Sequence, residues 1–155
     1  MDFELALFTA QIHDNGAGSL RAQDATGGPR RLSTEPFCIG INDPLNILPV
    51  MPGACATSSG GLDPNVFTIF NAWERTKVPE RRAIAQGQQL FNTREFVIDN
   101  VPGLNGAPED PVGTPLRATC TLCHDTPNAG NHSISMPLNI GLTTVARRTP
   151  DLPLY

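Results

Sequence analysis

The sequence has few charged and few aromatic side chains. Charged residues make up 17% of the 155 residues, and the chain contains one Trp and one Tyr. No apolar run has the roughly 20 residues that cross a bilayer, so we expect no membrane span. The only adjacent arginines are three isolated pairs, Arg30-Arg31, Arg81-Arg82 and Arg147-Arg148, in a chain of net charge −4. This pattern argues against a nucleic-acid partner, because such an interface needs clustered basic residues.

Proline and glycine are abundant instead, with 15 and 14 residues. They divide the chain into short segments of helical periodicity and long loops. Three segments with apolar side chains at helical spacing are predicted to be helices: 2–13, 64–76 and 79–92. Three stretches without periodicity are predicted to be ordered loops: 14–36, 37–62 and 93–119.

The second and third helices have identifiable starts. Asp63 is a suitable N-cap, and Pro64 and Pro79 each occupy a first helical position. The apolar stripe predicted for the second helix consists of Val66, Ile69, Phe70 and Trp73. The stripe predicted for the third consists of Ala83, Ile84, Gly87, Leu90 and Phe91.

One short motif carries chemistry. Cys120-Thr121-Leu122-Cys123-His124 is C-x-x-C-H, the attachment pattern of c-type haem. Two thiols add across the two vinyl groups of the porphyrin, and a two-residue spacer lets one turn reach both. The histidine that follows is held beside the iron as proximal ligand. The motif therefore predicts one covalent haem c per chain, bound by Cys120, Cys123 and His124, with His124 as the metal ligand.

Three other interpretations of the motif are open. A redox-active C-x-x-C should follow an apolar strand and open a helix, whereas GTPLRAT precedes Cys120. A zinc site needs four ligands. Cys120, Cys123 and His132 supply three of them, and Cys38 or Cys55 would have to supply the fourth. The third interpretation is a chance match to a short pattern.

Cys38 and Cys55 form an even pair outside the motif. In an oxidising compartment, a disulfide between them would close the intervening loop. Two separate buried thiols are the alternative, and the sequence does not choose between these interpretations.

The predicted haem also bears on localisation. Thioether attachment normally takes place outside the cytoplasm, so we expect a periplasmic or otherwise extracytoplasmic protein. The start, MDFELALFTAQIH, lacks the basic and unbroken apolar segments of a secretion signal. The end, RRTPDLPLY, stops within a loop-like segment. We therefore expect an internal piece of a longer polypeptide, whose remainder is one of its partners.

Several segments near the motif share features with one family. Gly87-Gln88-Gln89-Leu90-Phe91 is similar to its G-x-x-L-F entry helix. Asp125-Thr126-Pro127-Asn128 is similar to its C-H-x-x-P-N, and Asn139-Ile140-Gly141-Leu142 is similar to its N-x-G-x turn. In these segments, over about 79–142, the chain resembles the bacterial di-haem cytochrome c peroxidases and their relatives.

The resemblance is weaker elsewhere. Asp2-Phe3-Glu4-Leu5-Ala6-Leu7 is similar to the helix that closes the first haem domain of that family. Residues 14–62 do not match well, and 93–119 is a longer insertion than most members have.

Motif and resemblance together predict an all-α, cytochrome-c-like fold of short helices with long Pro/Gly-rich loops around the covalent haem. Residues 1–62 would be the tail of an upstream domain plus a loop-rich linker, and 63–155 the front part of a cytochrome c domain. The implied function is electron transfer within a larger multi-haem redox protein, with a redox protein or small electron donor as partner. A piece of a di-haem peroxidase-type oxidoreductase is the alternative. A non-haem metal-binding module is the second alternative.

The resemblance implies that the sixth iron ligand, usually a methionine, lies beyond Tyr155. Three side chains within the chain are also candidates: Met136, His132 and Met51. Methionine more often packs as an adaptable filler than it ligates iron, and the sequence alone does not select among these positions.

Overall fold

A computed structural model of the chain describes residues 11–35, 40–42, 65–101, 104–105, 114–125 and 133. Within them the elements follow in chain order: strands β1 (His13–Asp14) and β2 (Gly18–Ser19), a 3-10 turn (Ala22–Asp24), helix α1 (Pro29–Leu32), a 3-10 turn (Asn71–Trp73), helix α2 (Pro79–Thr93), strands β3 (Phe96–Ile98) and β4 (Leu116–Ala118), and a 3-10 turn (Cys120–Leu122).

The prediction of an all-α fold is wrong. The described residues contain two α-helices and two separate two-stranded antiparallel sheets. About 35% of these residues are helical and about 14% are in strands. Each strand has only two or three residues, which is too short for an alternating hydrophobic pattern to stand out. Apart from His13, which belongs to the predicted helix 2–13, both sheets therefore lie in stretches that the sequence predicted to be loops, 14–36 and 93–119.

The chain divides into two compact units. The first takes Met1–Arg94 and Thr119–Ser135, and the second takes Glu95–Ala118 and Met136–Tyr155. The predicted boundary between residues 62 and 63 concerns an upstream domain and a linker, and it stays a prediction.

A short hairpin opens the described part of the first unit. The Asp14 carboxylate accepts the backbone N–H groups of Gly16 (2.9 Å) and Ala17 (2.6 Å), a turn typical of Asp. This turn pairs β1 with β2 in the register His13↔Ser19. The predicted helix 2–13 is wrong at its described end, because His13 lies in a strand; residues 2–10 lie outside the described residues.

Trp73 is the centre of the core of the first unit. Its side chain is 0% exposed, it stacks on Phe70 with ring centroids 4.8 Å apart, and its Nε1 donates to the Ala22 carbonyl at 2.6 Å. The Arg81 guanidinium covers its ring at 5.5 Å, and the Arg81 Nε donates to the Ala17 carbonyl. The single tryptophan thus joins the hairpin segment to α2.

Helix α2 confirms the prediction for 79–92 and extends it by one residue, to Thr93. Pro79 stands at its start as predicted. Its predicted apolar stripe is only partly right, because Ala83, Gly87 and Leu90 are exposed. The side chains that face the interior are instead Ile84, Ala85, Gln88, Phe91 and Asn92.

The prediction of a helix over 64–76 is wrong in the described part. Only Asn71–Trp73 is helical, as a 3-10 turn. Side-chain amides of α2 bind the backbone groups that a helix would use. Asn92 donates to the Phe67 carbonyl at 2.7 Å, and Gln88 accepts the Phe70 N–H at 2.8 Å. These polar contacts hold 67–70 in an irregular path along the helix.

The described part of the second unit is a hairpin of β3 and β4, with Val97 opposite Arg117. The Asn105 side chain bridges backbone groups at the end of this hairpin. Its Nδ2 donates to the Ile98 carbonyl at 2.6 Å, and its Oδ1 accepts the Val101 N–H at 3.0 Å. The stretch 93–119, predicted to be a loop, therefore has its own small sheet.

Among the helices of the described ranges, none is both long and apolar enough to cross a bilayer. This agrees with the sequence-based expectation.

Candidate haem-attachment site

The C-x-x-C-H motif forms a single tight turn in the first unit. The Leu122 N–H donates to the Thr119 carbonyl at 3.1 Å, and the N–H groups of Cys123 and His124 both donate to the Cys120 carbonyl at 3.2 and 3.1 Å. In a 3-10 turn, residues three apart lie on the same side. The two cysteines of the motif therefore share one side of the turn.

The turn has a buried and an outer side. Thr121 and Leu122, the two spacer residues, are buried at 0% and 2% exposure. Cys120 and Cys123 are half-buried free thiols, and His124 is exposed. The spacer anchors the turn in the protein and leaves all three predicted haem-binding side chains toward the outside.

The setting of the Cys123 thiol disfavours its charged form. Burial raises the pKa of the Cys123 thiol above its usual value of 9.0, and the nearby Cys120 raises it further. Removal from water penalises the thiolate more than the neutral thiol. Near neutral pH, Cys123 is therefore a neutral thiol in the folded haem-free chain.

Phe91 links the motif to α2. Its ring centroid lies 5.8 Å from that of His124, at an interplanar angle of 56°. The same ring packs edge-to-face on Phe67, with centroids 5.0 Å apart. An apolar ring thus stands directly beside the predicted iron ligand.

An apolar cavity of about 230 Å³ adjoins Phe91. It is lined by Phe67, Ile69, Phe70, Ile84, Gly87, Gln88 and Phe91. Gln88 is the polar member, and its amide is occupied, accepting from the Phe70 N–H and donating to Asn71 Oδ1 at 2.7 Å. A Cβ at Gly87 would meet no atom within 4 Å, so the helix leaves open space there.

These features fit a haem. Two half-buried thiols on one side of the turn, followed directly by an exposed imidazole, match the groups that attach and ligate a c-type haem, and the apolar cavity beside Phe91 matches an apolar ring. The cavity is smaller than the roughly 300–1,000 Å³ of pockets that enclose a small molecule. It therefore suits part of a macrocycle.

The remaining candidate ligands fall outside the part of the chain that the structure describes. The sixth-ligand candidates Met51, His132 and Met136 lie outside the described residues, as do Cys38 and Cys55. Within the part of the chain that the structure describes, no group of three or more His, Cys, Asp or Glu side chains is placed to hold a metal ion.

Sequence reasoning missed the polar residues behind the turn. Asn42 and Ser133 are buried and hydrogen-bond to the Thr121 carbonyl. Neither lies in a recognisable motif, and Asn42 is 79 positions from Thr121. No periodicity or spacing signal connects residues so far apart.

Comparison with known proteins finds no matching family model, no matching curated protein and no matching solved structure. The resemblance to the di-haem cytochrome c peroxidases therefore stays a prediction from the segments that carry it.

Proposed function

We propose that this chain is a haem c electron-transfer domain, part of a larger multi-haem redox protein that works outside the cytoplasm. The observation that carries the proposal is the outer face of the motif turn. It groups two half-buried thiols with an exposed imidazole, and the imidazole lies beside Phe91 at the edge of the apolar cavity.

Each side chain has a distinct part. Cys120 and Cys123 would hold the haem covalently, each thiol adding across one vinyl group with its hydrogen passing to the other vinyl carbon. His124 would hold the iron through a ring nitrogen. Phe91 packs beside that imidazole and limits its orientation. When bound, the haem supplies one-electron redox chemistry.

The protein environment suits electron transfer. The cavity beside Phe91 has a mostly apolar lining, and the polarity around a haem tunes its reduction potential. We infer a redox protein or small electron donor as partner. The peroxidase-type alternative depends on the resemblance and would require a further haem elsewhere in the polypeptide.

The test is production of the chain with an export signal and the haem-maturation machinery. We expect red protein whose colour survives acid-acetone extraction and whose pyridine haemochrome is of the c type. The double variant Cys120→Ser/Cys123→Ser should lose covalent haem. The matched control Cys38→Ser/Cys55→Ser, which changes the other cysteine pair, should keep it when read on a denaturing gel.

Two outcomes would contradict the proposal. Haem that extracts from the wild-type chain, or that stays covalent in the Cys120→Ser/Cys123→Ser variant, excludes thioether attachment at the motif. Zinc in place of iron in the purified protein would favour the non-haem metal-binding module.

A further inference from the structure

The carbonyl of Thr121, in the middle of the motif turn, is held from outside the turn. Asn42 Nδ2 donates to it at 2.9 Å and Ser133 Oγ donates to it at 2.6 Å. A carbonyl oxygen has two lone pairs, so two side-chain donors saturate it. The backbone hydrogen bonds within the turn end on Thr119 and Cys120.

The two donors are also bound to each other. The Asn42 N–H donates to the Ser133 carbonyl at 2.8 Å, which ties two distant segments together behind the turn. On the same side, the hydroxyls of Thr119 and Thr121 lie 2.6 Å apart. The turn is therefore supported by a connected polar network rather than by isolated contacts.

This network is buried. Asn42 is 2% exposed, and Thr121 and Ser133 are 0% exposed. Buried polar groups that lose a partner bear the full desolvation penalty, because water does not replace the lost bond. A polar network at such a position costs stability unless it is complete, so its geometry is tightly specified.

We propose that Asn42 and Ser133 are positioning residues, which fix the motif turn so that Cys120, Cys123 and His124 face outward together. The role of that outer face in haem binding rests on the proposed function. The two donors act close to the haem-binding side chains, because the carbonyl that they fix belongs to Thr121, the residue directly after Cys120. A rotation of that peptide changes the direction of both flanking thiols and of the imidazole.

The experiment compares Asn42→Ala, Ser133→Ala and the double variant with the wild-type full chain. The first readout is amide hydrogen exchange at Cys123 and His124, whose N–H groups report the turn itself. Loss of a donor to a buried carbonyl should speed their exchange about ten- to hundredfold. The two variants should be non-additive, because both donors share one acceptor.

The second readout is the haem. In the loaded protein, a freely turning His124 should shift the midpoint potential and broaden the electron paramagnetic resonance signal. Asn42→Leu separates volume from hydrogen bonding, because it keeps nearly the same side-chain size and branching but has no donor. It should behave like Asn42→Ala in both readouts.

Thr76→Ala is the matched control. Thr76 is a buried residue of the same unit, and its hydroxyl donates to Gln23 Oε1 at 2.9 Å. This hydrogen bond does not involve the motif. We expect it to lower global stability while leaving the exchange at Cys123 and His124 and the haem signals at wild-type values. If Ser133→Ala does not fold, Asn42→Ala, which keeps the Ser133 bond, decides the question.

Wild-type exchange and wild-type haem signals in the Asn42 and Ser133 variants would overturn the positioning role. A wild-type chain without covalent haem would overturn the proposed function instead. The exchange measurement at the turn tests the positioning role in either case.

Discussion

Asn92 offers the sharpest test of how the cavity wall is held. Its Nδ2 donates to the Phe67 carbonyl at 2.7 Å, and its Oδ1 accepts the Phe67 N–H at 3.4 Å. Asn92 and Phe67 are both buried, at 6% and 7% exposure. Asn92→Ala would therefore leave a buried carbonyl and a buried N–H without this partner.

The expected cost follows from those two bonds. The 2.7 Å bond is strong, whereas the 3.4 Å bond is long and contributes little. An unsatisfied buried group costs about 1–3 kcal/mol, so Asn92→Ala should lower the free energy of unfolding by about 2–3 kcal/mol. At this chain length that corresponds to a fall in Tm of roughly 5–10 °C.

The assay is urea denaturation followed by circular dichroism, with Trp73 fluorescence as a second probe in haem-free protein. Gln89→Ala is the control, since Gln89 is exposed on the same helix. It should change stability by less than about 0.5 kcal/mol. A loss below about 0.5 kcal/mol for Asn92→Ala would refute the account of how residues 67–70 are held.

Three further predictions concern single groups. His124→Ala should leave thioether attachment intact but shift the Soret band, and an unchanged absorption spectrum would show that another residue ligates the iron. The backbone N–H groups of Ala17 and Gly16 lower the pKa of Asp14 below 3.8. The ionised Asp14 carboxylate therefore stabilises the fold above pH 3.8, and this stabilisation is lost as the pH falls through the pKa of Asp14 in the folded state. Asp14→Asn should therefore flatten the acid limb of a stability–pH curve, and an unchanged limb would contradict this. Burial raises the pKa of Cys123 above 9.0, so haem-free chain should lose stability as the pH rises above 9.0. Alkylation of the Cys123 thiol at pH 8 should be slower in the folded chain than in the chain unfolded by urea. Equal rates would show that the thiol is not shielded.

The features that the sequence predicted well are local. Helix α2 was found because Pro79 marks its start and its periodicity runs for several turns. The motif turn follows from five consecutive residues, Cys120–His124. In both cases the information lies within a few residues, which is the range over which spacing and turn chemistry act.

The features that the sequence did not predict depend on distant polar contacts. Apolar periodicity alone predicts that Leu90 is buried, although it is 60% exposed. The same periodicity gives no sign of Gln88 and Asn92, whose amides hold the segment that lines the cavity. The same contacts prevent a helix through Phe67 and Phe70, because they use backbone groups that the helix would need.

The central claim is covalent haem at the motif, and the mass of one peptide tests it most directly. Trypsin should release residues 118–147 as one peptide, because Arg117 precedes it, Arg147 ends it and no Lys or Arg lies between them. In protein made with the haem-maturation machinery, we predict that this peptide carries the added mass of one haem and loses it in the Cys120→Ser/Cys123→Ser variant. An unmodified 118–147 peptide from the wild-type chain would contradict the account.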